Sequence, residues 1–277
     1  MSGSTPLDAP ARDAGNRAWD ILRRRLRPPF TSLYPLDSRS PACPDLCAVC
    51  RGPARPGCAR CYQCARHELL GQGLLADAVV PVSYAVKGTP FAADLWRYKS
   101  WLAPSATART SMLALLLAFL HDHGACVWRQ AGMPGPGQLA VVPTGCGRPG
   151  PHPLLELSAP YLQLPAARLV IRPGEQGRDP NVNRFLAERT RPGANVLLLD
   201  DTWVSGASAQ SAAAALKRAG ARRVAVVVLG RHVDPAGRLG GPLAARLAPA
   251  PYDPVRCAVH IPESEPAHQW AQRGPAL

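Results

Sequence analysis

Residues 196–208 of this 277-residue chain, VLLLDDTWVSGAS, carry the clearest indication of its fold. Its apolar start predicts a buried strand that ends in two acids, and its small residues predict a tight loop opening a helix at Ala207. In an open parallel sheet, ligands bind at the carboxyl ends of the strands. A loop running into a helix N-terminus attracts phosphate, because it exposes backbone N–H groups and the positive end of the helix dipole. The stretch therefore predicts a phosphate site at a strand end.

The two acids of this stretch restrict the ligand further. Asp200 and Asp201 would repel a phosphate, so we expect them to accept hydrogen bonds from neutral hydroxyls or to approach a cation. A ribose 5-phosphate carries both a phosphate and a vicinal diol, and it suits both parts of the stretch. The alternative interpretation is a strand followed by a turn with two solvated aspartates.

Two other protein classes place acids at a strand end. A P-loop NTPase needs the motif GxxxxGK[ST], and none of the lysines, Lys87, Lys99 and Lys217, follows a glycine. A receiver domain needs further acids at an earlier strand end and a later lysine on a strand, and the sequence has neither. Both classes are excluded.

Strands and helices alternate along the chain on either side of this stretch. Strands are predicted at 78–86, 138–143, 167–171, 195–200 and 222–229, and helices at 90–102, 108–123, 154–162, 181–189 and 207–220. The strands are continuously apolar, which is typical of a parallel sheet buried on both faces. The sequence therefore predicts an α/β fold, a parallel sheet with helices on both faces. Beyond Arg231 we expect little regular structure.

A cysteine-rich stretch precedes the first strand. Six of the nine cysteines lie within residues 43–64, which hold too few apolar residues for a hydrophobic core. Cys47-x-x-Cys50 and Cys61-x-x-Cys64, with ten residues between the pairs, have the spacing of a structural zinc site closed by four thiolates. We interpret these four cysteines as metal ligands in a small zinc-binding module.

Alternatives to this ligand set stay open. Cys58-x-x-Cys61 overlaps the second pair, so Cys58 could replace one of its members, and Cys43 is a further thiol. An iron–sulfur cluster or four inert thiols would use the same residues. Near the C-terminus, Cys257-x-x-His260 could approach the metal or could end a short strand.

Composition restricts the class of protein and its partners. Hydrophobic residues make up 47% of the chain, enough for a packed core, and the formal charge of +13 with a pI near 9.9 suggests a polyanionic partner. A GC-rich genome would also explain the excess of Arg. Aromatic residues make up 6%, which disfavours an extended base-stacking platform for single-stranded nucleic acid.

The sequence predicts no membrane span. The longest strongly apolar run, residues 112–120, is nine residues long, whereas a spanning helix needs about 20. The first residues lack the apolar core of a signal peptide. We expect a cytoplasmic protein.

Residues 196–208 resemble the phosphoribosyl diphosphate (PRPP) signature of type I phosphoribosyltransferases: four apolar residues, two acids and a small-residue phosphate loop. Together with the upstream CAVC and CYQC pairs and the intervening PVSYAVKGTPFAADLWRYKSWL, the order of parts resembles the ComF family of competence-associated, phosphoribosyltransferase-like proteins. In that family a four-cysteine zinc finger precedes the transferase domain, and a Tyr/Phe-Lys pair on the first helix corresponds to Tyr98 and Lys99. The resemblance covers residues 43–231.

The resemblance implies roles for individual residues. Asp200 and Asp201 would bind the ribose 2- and 3-hydroxyls and form the catalytic pair. The 5-phosphate would be cradled by Val204, Ser205, Gly206, Ala207 and Ser208. The pyrophosphate loop would follow an earlier strand at 143–148, with Thr144, Gly145 and Arg148 as binding residues. Structural zinc would fill the cysteine module, and Mg²⁺ would arrive with the diphosphate.

The chain departs from the family pattern in two places. Val204 stands where Thr is usual, so one hydroxyl contact to the phosphate is missing. An Arg-Gly-x-Asn-Gln run that usually follows the pyrophosphate loop is replaced by GRPGPHPLLELSAPYL. We also expect Trp203, a large aromatic beside the phosphate loop, to be exposed.

These interpretations divide the chain into four parts and assign it a function. We expect a basic flexible arm at 1–42, a four-cysteine zinc module at 43–75, a phosphoribosyltransferase-like domain at 76–235 and a Pro/Gly/Ala-rich tail at 236–277. The expected function is PRPP binding and phosphoribosyl transfer, in which a nitrogen nucleophile of unknown identity displaces pyrophosphate. The alternative is a non-catalytic, PRPP-sensing or DNA-binding protein whose arm and finger contact single-stranded DNA. A homodimer is compatible with either function.

Overall fold

Six strands form two sheets among the residues that the structure describes. The computed structural model, which describes residues 45–71, 73–144, 150–172, 179–247 and 257–259, has β1 (Ala78–Val86), β2 (Gln138–Val141), β3 (Arg168–Ile171), β4 (Phe185–Glu188), β5 (Asn195–Trp203) and β6 (Arg223–Val233). The parallel sheet has the order β1-β6-β5-β2, and β3 pairs with β4 in antiparallel fashion. Strands of the parallel sheet are buried almost throughout, which explains their unbroken apolar sequence. The predicted α/β fold with a parallel sheet is confirmed.

Helices cover both faces of the parallel sheet, as predicted. The helices of the described residues are α1 (Tyr62–Leu70), α2 (Pro90–Arg97), α3 (Ala106–Ala131), α4 (Pro153–Leu162), α5 (Ala207–Arg218) and α6 (Gly240–Leu247). One face, here called the cysteine face, packs against the cysteine module, α5 and the β3–β4 pair. The opposite face, here called the α3 face, packs against α2, α3, α4, α6 and residues 257–259.

Helix α3 runs further than the sequence predicted. Ser105 caps it by accepting a hydrogen bond from the Ala108 N–H (3.2 Å), and Gly132 ends it with a left-handed φ of 65°. The prediction ended at residue 123, but Val127 and Trp128 are buried, so tertiary packing extends the helix. By length and composition alone α3 could cross a membrane, but 56% of its most apolar window is buried inside the protein, as in a core helix.

The helix predicted at 181–189 is wrong, because four of its residues form β4. Phe185 is buried and Leu186 is 44% exposed, which is the alternation of a strand with one covered face. Residues of β4 pair with β3 from Phe185 opposite Ile171 to Glu188 opposite Arg168. This pairing joins segments separated in sequence, so local helix propensity does not report it.

Regular structure continues beyond Arg231, contrary to the prediction. β6 runs to Val233, and α6 follows with Leu243 and Leu247 buried on one side. Residues 257–259 are also buried, on the α3 face. Helix α2 is shorter than predicted, because it ends at Arg97 instead of residue 102. The predicted arm and Cys43 lie outside the described residues.

Candidate functional site

Two adjacent acids near the carboxyl end of β5 have different surroundings. Asp201 is 5% exposed, and its Oδ2 accepts a hydrogen bond from the Tyr98 hydroxyl at 2.7 Å. Lys99 donates from Nζ to both carboxylate oxygens of Asp201 at 2.9 Å. The Tyr98–Lys99 pair, which follows α2, therefore holds Asp201 from the α3 face of the sheet.

His152 is a further neighbour of Asp201, and the sequence analysis did not identify it. It caps α4, where its Nδ1 accepts a hydrogen bond from the Leu154 N–H at 3.1 Å. In neutral His152 the proton is then on Nε2, which lies 3.7 Å from Asp201 Oδ2. Burial opposes ionisation of Asp201, but the nearby Lys99, His152 and Tyr98 outweigh burial and lower its pKa. Asp201 is therefore an ionised carboxylate at neutral pH.

Asp200 precedes Asp201 on the strand and points to the opposite face. Its Oδ1 accepts a hydrogen bond from the backbone N–H of Asp201 at 2.9 Å. Burial and the neighbouring negative charge of Asp201 raise the pKa of Asp200 to about 7. Asp200 is therefore the member of the pair whose charge changes near neutral pH.

The loop after this strand has a backbone shape that needs glycine. Gly206 is the N-cap of α5 with a left-handed φ of 86°, and a Cβ added to it would overlap the ring of Trp203. Ser205 Oγ accepts a hydrogen bond from the Ala207 N–H at 3.3 Å. Val204 is 61% exposed, and Ser208 lies in the first turn of α5. The loop thus turns tightly from the acids into a helix N-terminus, whose first N–H groups lack intrahelical acceptors.

Trp203 is not exposed, contrary to expectation. It is 1% exposed and belongs to the core of the cysteine face. Its ring lies 6.3 Å from the ring of the buried His67 in α1, measured between centroids. The glycine loop and the cysteine module therefore pack on the same indole.

Thr144 lies beyond the carboxyl end of the neighbouring strand. β2 pairs in parallel with β5, and the Val142 N–H donates to the Leu199 carbonyl at 2.9 Å. Thr144 follows two residues later at the same edge of the sheet as Asp200 and is partly exposed. Gly145 and Arg148 lie outside the described residues.

Four cysteines come together on the cysteine face. The sulfurs of Cys47, Cys50, Cys61 and Cys64 lie within 4.8 Å of one another, and those of Cys50 and Cys61 are 3.8 Å apart. Two thiolates bound at about 2.3 Å to a tetrahedral zinc lie about 3.8 Å apart, so the group could hold a metal ion of this size. Cys58 is exposed and lies outside the group, which answers the alternative left open by the sequence.

Backbone turns bring the two cysteine pairs together. The Cys47 N–H donates to the Gly52 carbonyl at 2.8 Å, and the Arg51 N–H donates back to the Cys47 carbonyl at 2.9 Å. The Ala48 N–H donates to the Ala59 carbonyl at 2.8 Å, which ties the first pair to the segment before the second. Cys61 is the N-cap of α1. Backbone turns therefore hold the two cysteine pairs together, and Cys47, Cys50 and Cys64 are also buried in the core of the cysteine face.

The charges of these thiols depend on their proximity. A hydrogen bond with Cys50 lowers the pKa of Cys47, and a hydrogen bond with Cys47 raises the pKa of Cys64. Four ionised thiolates in one buried group would repel each other strongly unless a cation lay among them.

Arg231 is a buried cation beside the four cysteines, and it is 7% exposed. Its Nη1 donates to the Trp203 carbonyl at 3.1 Å and to the His232 carbonyl. Burial opposes its charge, but the charge of Cys50 and a hydrogen bond to it outweigh burial and raise the pKa of Arg231. A Cβ on Gly52 would overlap the guanidinium, so glycine leaves room for it. Arg231 links the cysteines to the end of β5.

Sequence analysis missed Arg231 and a second group of ligand-type residues. The sequence feature that could have identified Arg231 is a single charged residue near the end of an apolar strand. Cys257 lies on the α3 face with His123 and Cys126, so it does not join the four cysteines as the sequence analysis had considered. His260 lies outside the described residues.

Comparisons with known proteins include a distant likeness to a solved structure. No protein-family model and no curated protein matches the chain. A solved orotate phosphoribosyltransferase from Aeropyrum pernix is 21% identical, with 52% of this chain and 68% of that chain covered and a TM-score of 0.31. A TM-score this low does not establish a shared fold.

Proposed function

We propose that this protein binds PRPP at the carboxyl end of β5 and transfers its phosphoribosyl group. One observation carries the proposal: Asp200 and Asp201 lie directly before a glycine loop that turns left-handed at Gly206 into the N-terminus of α5. Carboxylates accept hydrogen bonds from hydroxyls, and the loop and helix end suit a phosphate. The likeness of residues 196–208 to the PRPP signature supports the same ligand.

The two acids have different parts in this proposal. Asp200 accepts one ribose hydroxyl directly. Asp201 accepts the other after exchanging its bond with Lys99, which currently contacts both of its oxygens. Tyr98 and His152 remain beside Asp201 during this exchange. Residues 204–208 receive the 5-phosphate, with Ser205 and Ser208 offering hydroxyl donors.

The diphosphate would lie over the segment that follows β2. Thr144, Gly145 and Arg148 are the proposed contacts, and Mg²⁺ arrives bound to the diphosphate oxygens. In the transfer step, the C1–O bond breaks and its electron pair leaves with pyrophosphate. A nitrogen nucleophile forms the new bond to C1 and releases a proton to water. Arg148 would stabilise charge on the leaving group, and Mg²⁺ would supply further positive charge there when bound.

We propose zinc as the metal of the four-cysteine group, in a structural role. Four thiolates close a tetrahedral site and leave no position for a catalytic water. Arg231 offsets part of the negative charge that such a complex carries. Elemental analysis of the purified full chain should find zinc, and iron in its place would contradict the assignment.

The PRPP site is tested by calorimetric titration of PRPP with Mg²⁺ into the full chain. We expect saturable binding that the double variant Asp200→Asn, Asp201→Asn abolishes. Asp94→Asn, which removes a carboxylate of α2 that pairs with Arg97, is the control and should bind as the wild type does. Unchanged binding in the double variant would overturn the site assignment.

Turnover separates an enzyme from a binding protein. Release of pyrophosphate from PRPP in the presence of a panel of nitrogen nucleophiles should depend on both acids. Binding without release for every nucleophile would favour the PRPP-sensing alternative. Contact with single-stranded DNA, a homodimer and a cytoplasmic location stay predictions from the sequence.

A further inference from the structure

A second group of metal-ligand side chains lies on the α3 face of the sheet. The ligand atoms of His123, Cys126 and Cys257 all lie within 4.8 Å of one another, the same limit that the four-cysteine group meets. We propose that these three residues bind a second metal ion of the zinc class. This site is separate from the proposed PRPP site and does not rest on it.

The fold brings these residues together from distant parts of the chain. His123 and Cys126 are three residues apart on α3, so their side chains lie on the same side of the helix. Cys257 comes from the C-terminal segment, where residues 257–259 are buried at 1%, 0% and 8% exposure. One helix therefore presents two ligands, and a segment more than a hundred residues away supplies the third.

The chemistry of the three ligands suits a borderline-soft divalent ion. Imidazole nitrogen and thiolate sulfur are the preferred zinc ligands, at about 2.0–2.1 Å and 2.3 Å from the metal. Around a tetrahedral ion such ligands lie about 3.5–3.8 Å apart, which requires only small side-chain adjustments from a group already within 4.8 Å. The fourth position of a tetrahedral ion is left to water.

The net charge of the proposed metal complex suits its apolar surroundings. Two thiolates and a neutral imidazole on a divalent cation form a neutral complex, whereas four thiolates on the same cation carry a charge of about −2. His123 is 3% exposed, and its ring lies 5.4 Å from that of Phe119. A neutral complex needs no buried counter-charge among such apolar neighbours, whereas the four-cysteine group has Arg231 beside it.

The proposed ion would fasten the C-terminal segment to α3. Cys257 and its neighbours Ala258 and Val259 pack into the core of the α3 face. A metal bond to Cys257 would hold this segment against His123 and Cys126 independently of apolar burial. We therefore expect a structural role for the site.

Metal content of the purified full chain tests the proposal. We expect about two equivalents of zinc per wild-type chain and about one in Cys126→Ser and in Cys257→Ser. Cys58→Ser is the matched control, because Cys58 is exposed and belongs to neither group, and it should retain two. A wild-type chain with one equivalent, lost in Cys47→Ser and kept in Cys126→Ser, would overturn the proposal.

A measurement on the wild type alone tests the proposal even if the variants fail to fold. X-ray absorption at the zinc edge should report an average of about three sulfur ligands per zinc, with nitrogen or oxygen making up the rest. Coordination by four sulfurs with no nitrogen would contradict the second site. A Cys126–Cys257 disulfide, detected by intact and peptide mass spectrometry, would also contradict it.

Discussion

The two faces of the sheet hold clusters of sulfur ligands that differ in origin and in charge. On the cysteine face, four cysteines from residues 47–64 lie beside the buried cation Arg231. On the α3 face, His123 and Cys126 meet Cys257 within an apolar core. With a divalent ion bound, four thiolates would carry a net charge of about −2, which the neighbouring Arg231 offsets in part. Two thiolates and a neutral imidazole on the same ion would be neutral, so they would need no such cation.

The two acids of β5 also have different electrostatic surroundings on the two faces of the sheet. Asp201 points to the α3 face, where Tyr98, Lys99 and His152 surround it and lower its pKa. Asp200 points the other way, and its pKa rises to about 7. Adjacent residues of one strand thus acquire opposite electrostatic properties, because a strand sends successive side chains to opposite faces.

The largest effect should come from removing the cation of the cysteine face. Arg231→Met leaves the thiolate cluster without its counter-charge and removes the bond to the Trp203 carbonyl. We expect a loss of about 3–5 kcal/mol in the free energy of unfolding, together with weaker zinc retention. Chemical denaturation and zinc release to a chelator measure the two quantities.

The control for this prediction is Arg222→Met. Arg222 is an exposed residue just before β6, and its removal should change stability by less than about 0.5 kcal/mol. Equal stability of the two variants would mean that the four-cysteine group needs no neighbouring cation, and the contrast between the two faces would fail.

A pair of glycine substitutions compares the helix ends of the two faces. Gly206→Ala forces alanine into a left-handed conformation and pushes its Cβ into the buried ring of Trp203. Gly132→Ala, at the end of α3, has a similar φ but meets nothing within 4 Å. We expect losses of about 3 kcal/mol for Gly206→Ala and about 1 kcal/mol for Gly132→Ala.

Thermal and chemical denaturation of both variants measure these losses, and Gly132→Ala is itself the control for backbone strain. Binding of PRPP to the two variants provides a second comparison, since only Gly206→Ala alters the proposed phosphate loop. Similar losses in the two variants would show that Trp203 moves aside without cost and does not fix the loop.

The effect of replacing Asp200 on stability should depend on pH. The pKa of Asp200 rises from its ordinary 3.8 to about 7 in the folded protein. Its contribution to stability is therefore greatest below pH 3.8 and is lost as pH rises towards 7, because the folded state resists ionisation. Asn does not titrate and keeps the oxygen that accepts the Asp201 N–H. A rise from 3.8 to about 7 corresponds to about 4 kcal/mol, so we expect Asp200→Asn to be more stable than the wild type at pH 8 by up to about 4 kcal/mol, with the gain vanishing near pH 4.

Asp201→Asn is the opposite case and serves as the comparison. The lowered pKa of Asp201 means that its contribution is present above its ordinary pKa and is lost as pH falls through the folded value. Its replacement should therefore destabilise the protein at pH 8. Urea denaturation at several pH values between 4 and 8 measures both variants, and a pH-independent difference for Asp200→Asn would refute the explanation.

Much of the fold was predictable because its strands are continuous apolar runs. β1 was predicted with its observed bounds, and the strands that became β2, β5 and β6 were predicted within a few residues. β4 was not, since pairing with β3 creates it and its own sequence favours a helix. α6 was missed because a Gly, Pro and Ala-rich segment shows no strong periodicity until Leu243 and Leu247 pack against the core.

The candidate site was predictable only where its residues are neighbours in sequence. Asp200, Asp201 and the glycine loop form one stretch, and so do the paired cysteines. The contact of Lys99 with Asp201 joins residues about a hundred positions apart, and the approach of His152 to Asp201 spans about fifty. No local pattern records those contacts, because they depend on how α2 and α4 pack on the sheet.

Hydrophobic period and ligand spacing within short stretches of sequence are enough to predict the parallel α/β class, the strand end with its two acids and the paired cysteines. Packing of the elements places Cys58 outside the four-cysteine group and Arg231 beside it. It also keeps Asp201 ionised while Asp200 titrates near neutral pH, and it brings Cys257 to His123 and Cys126. These properties depend on burial and on distances between side chains of separate elements, which arise only when the elements pack together.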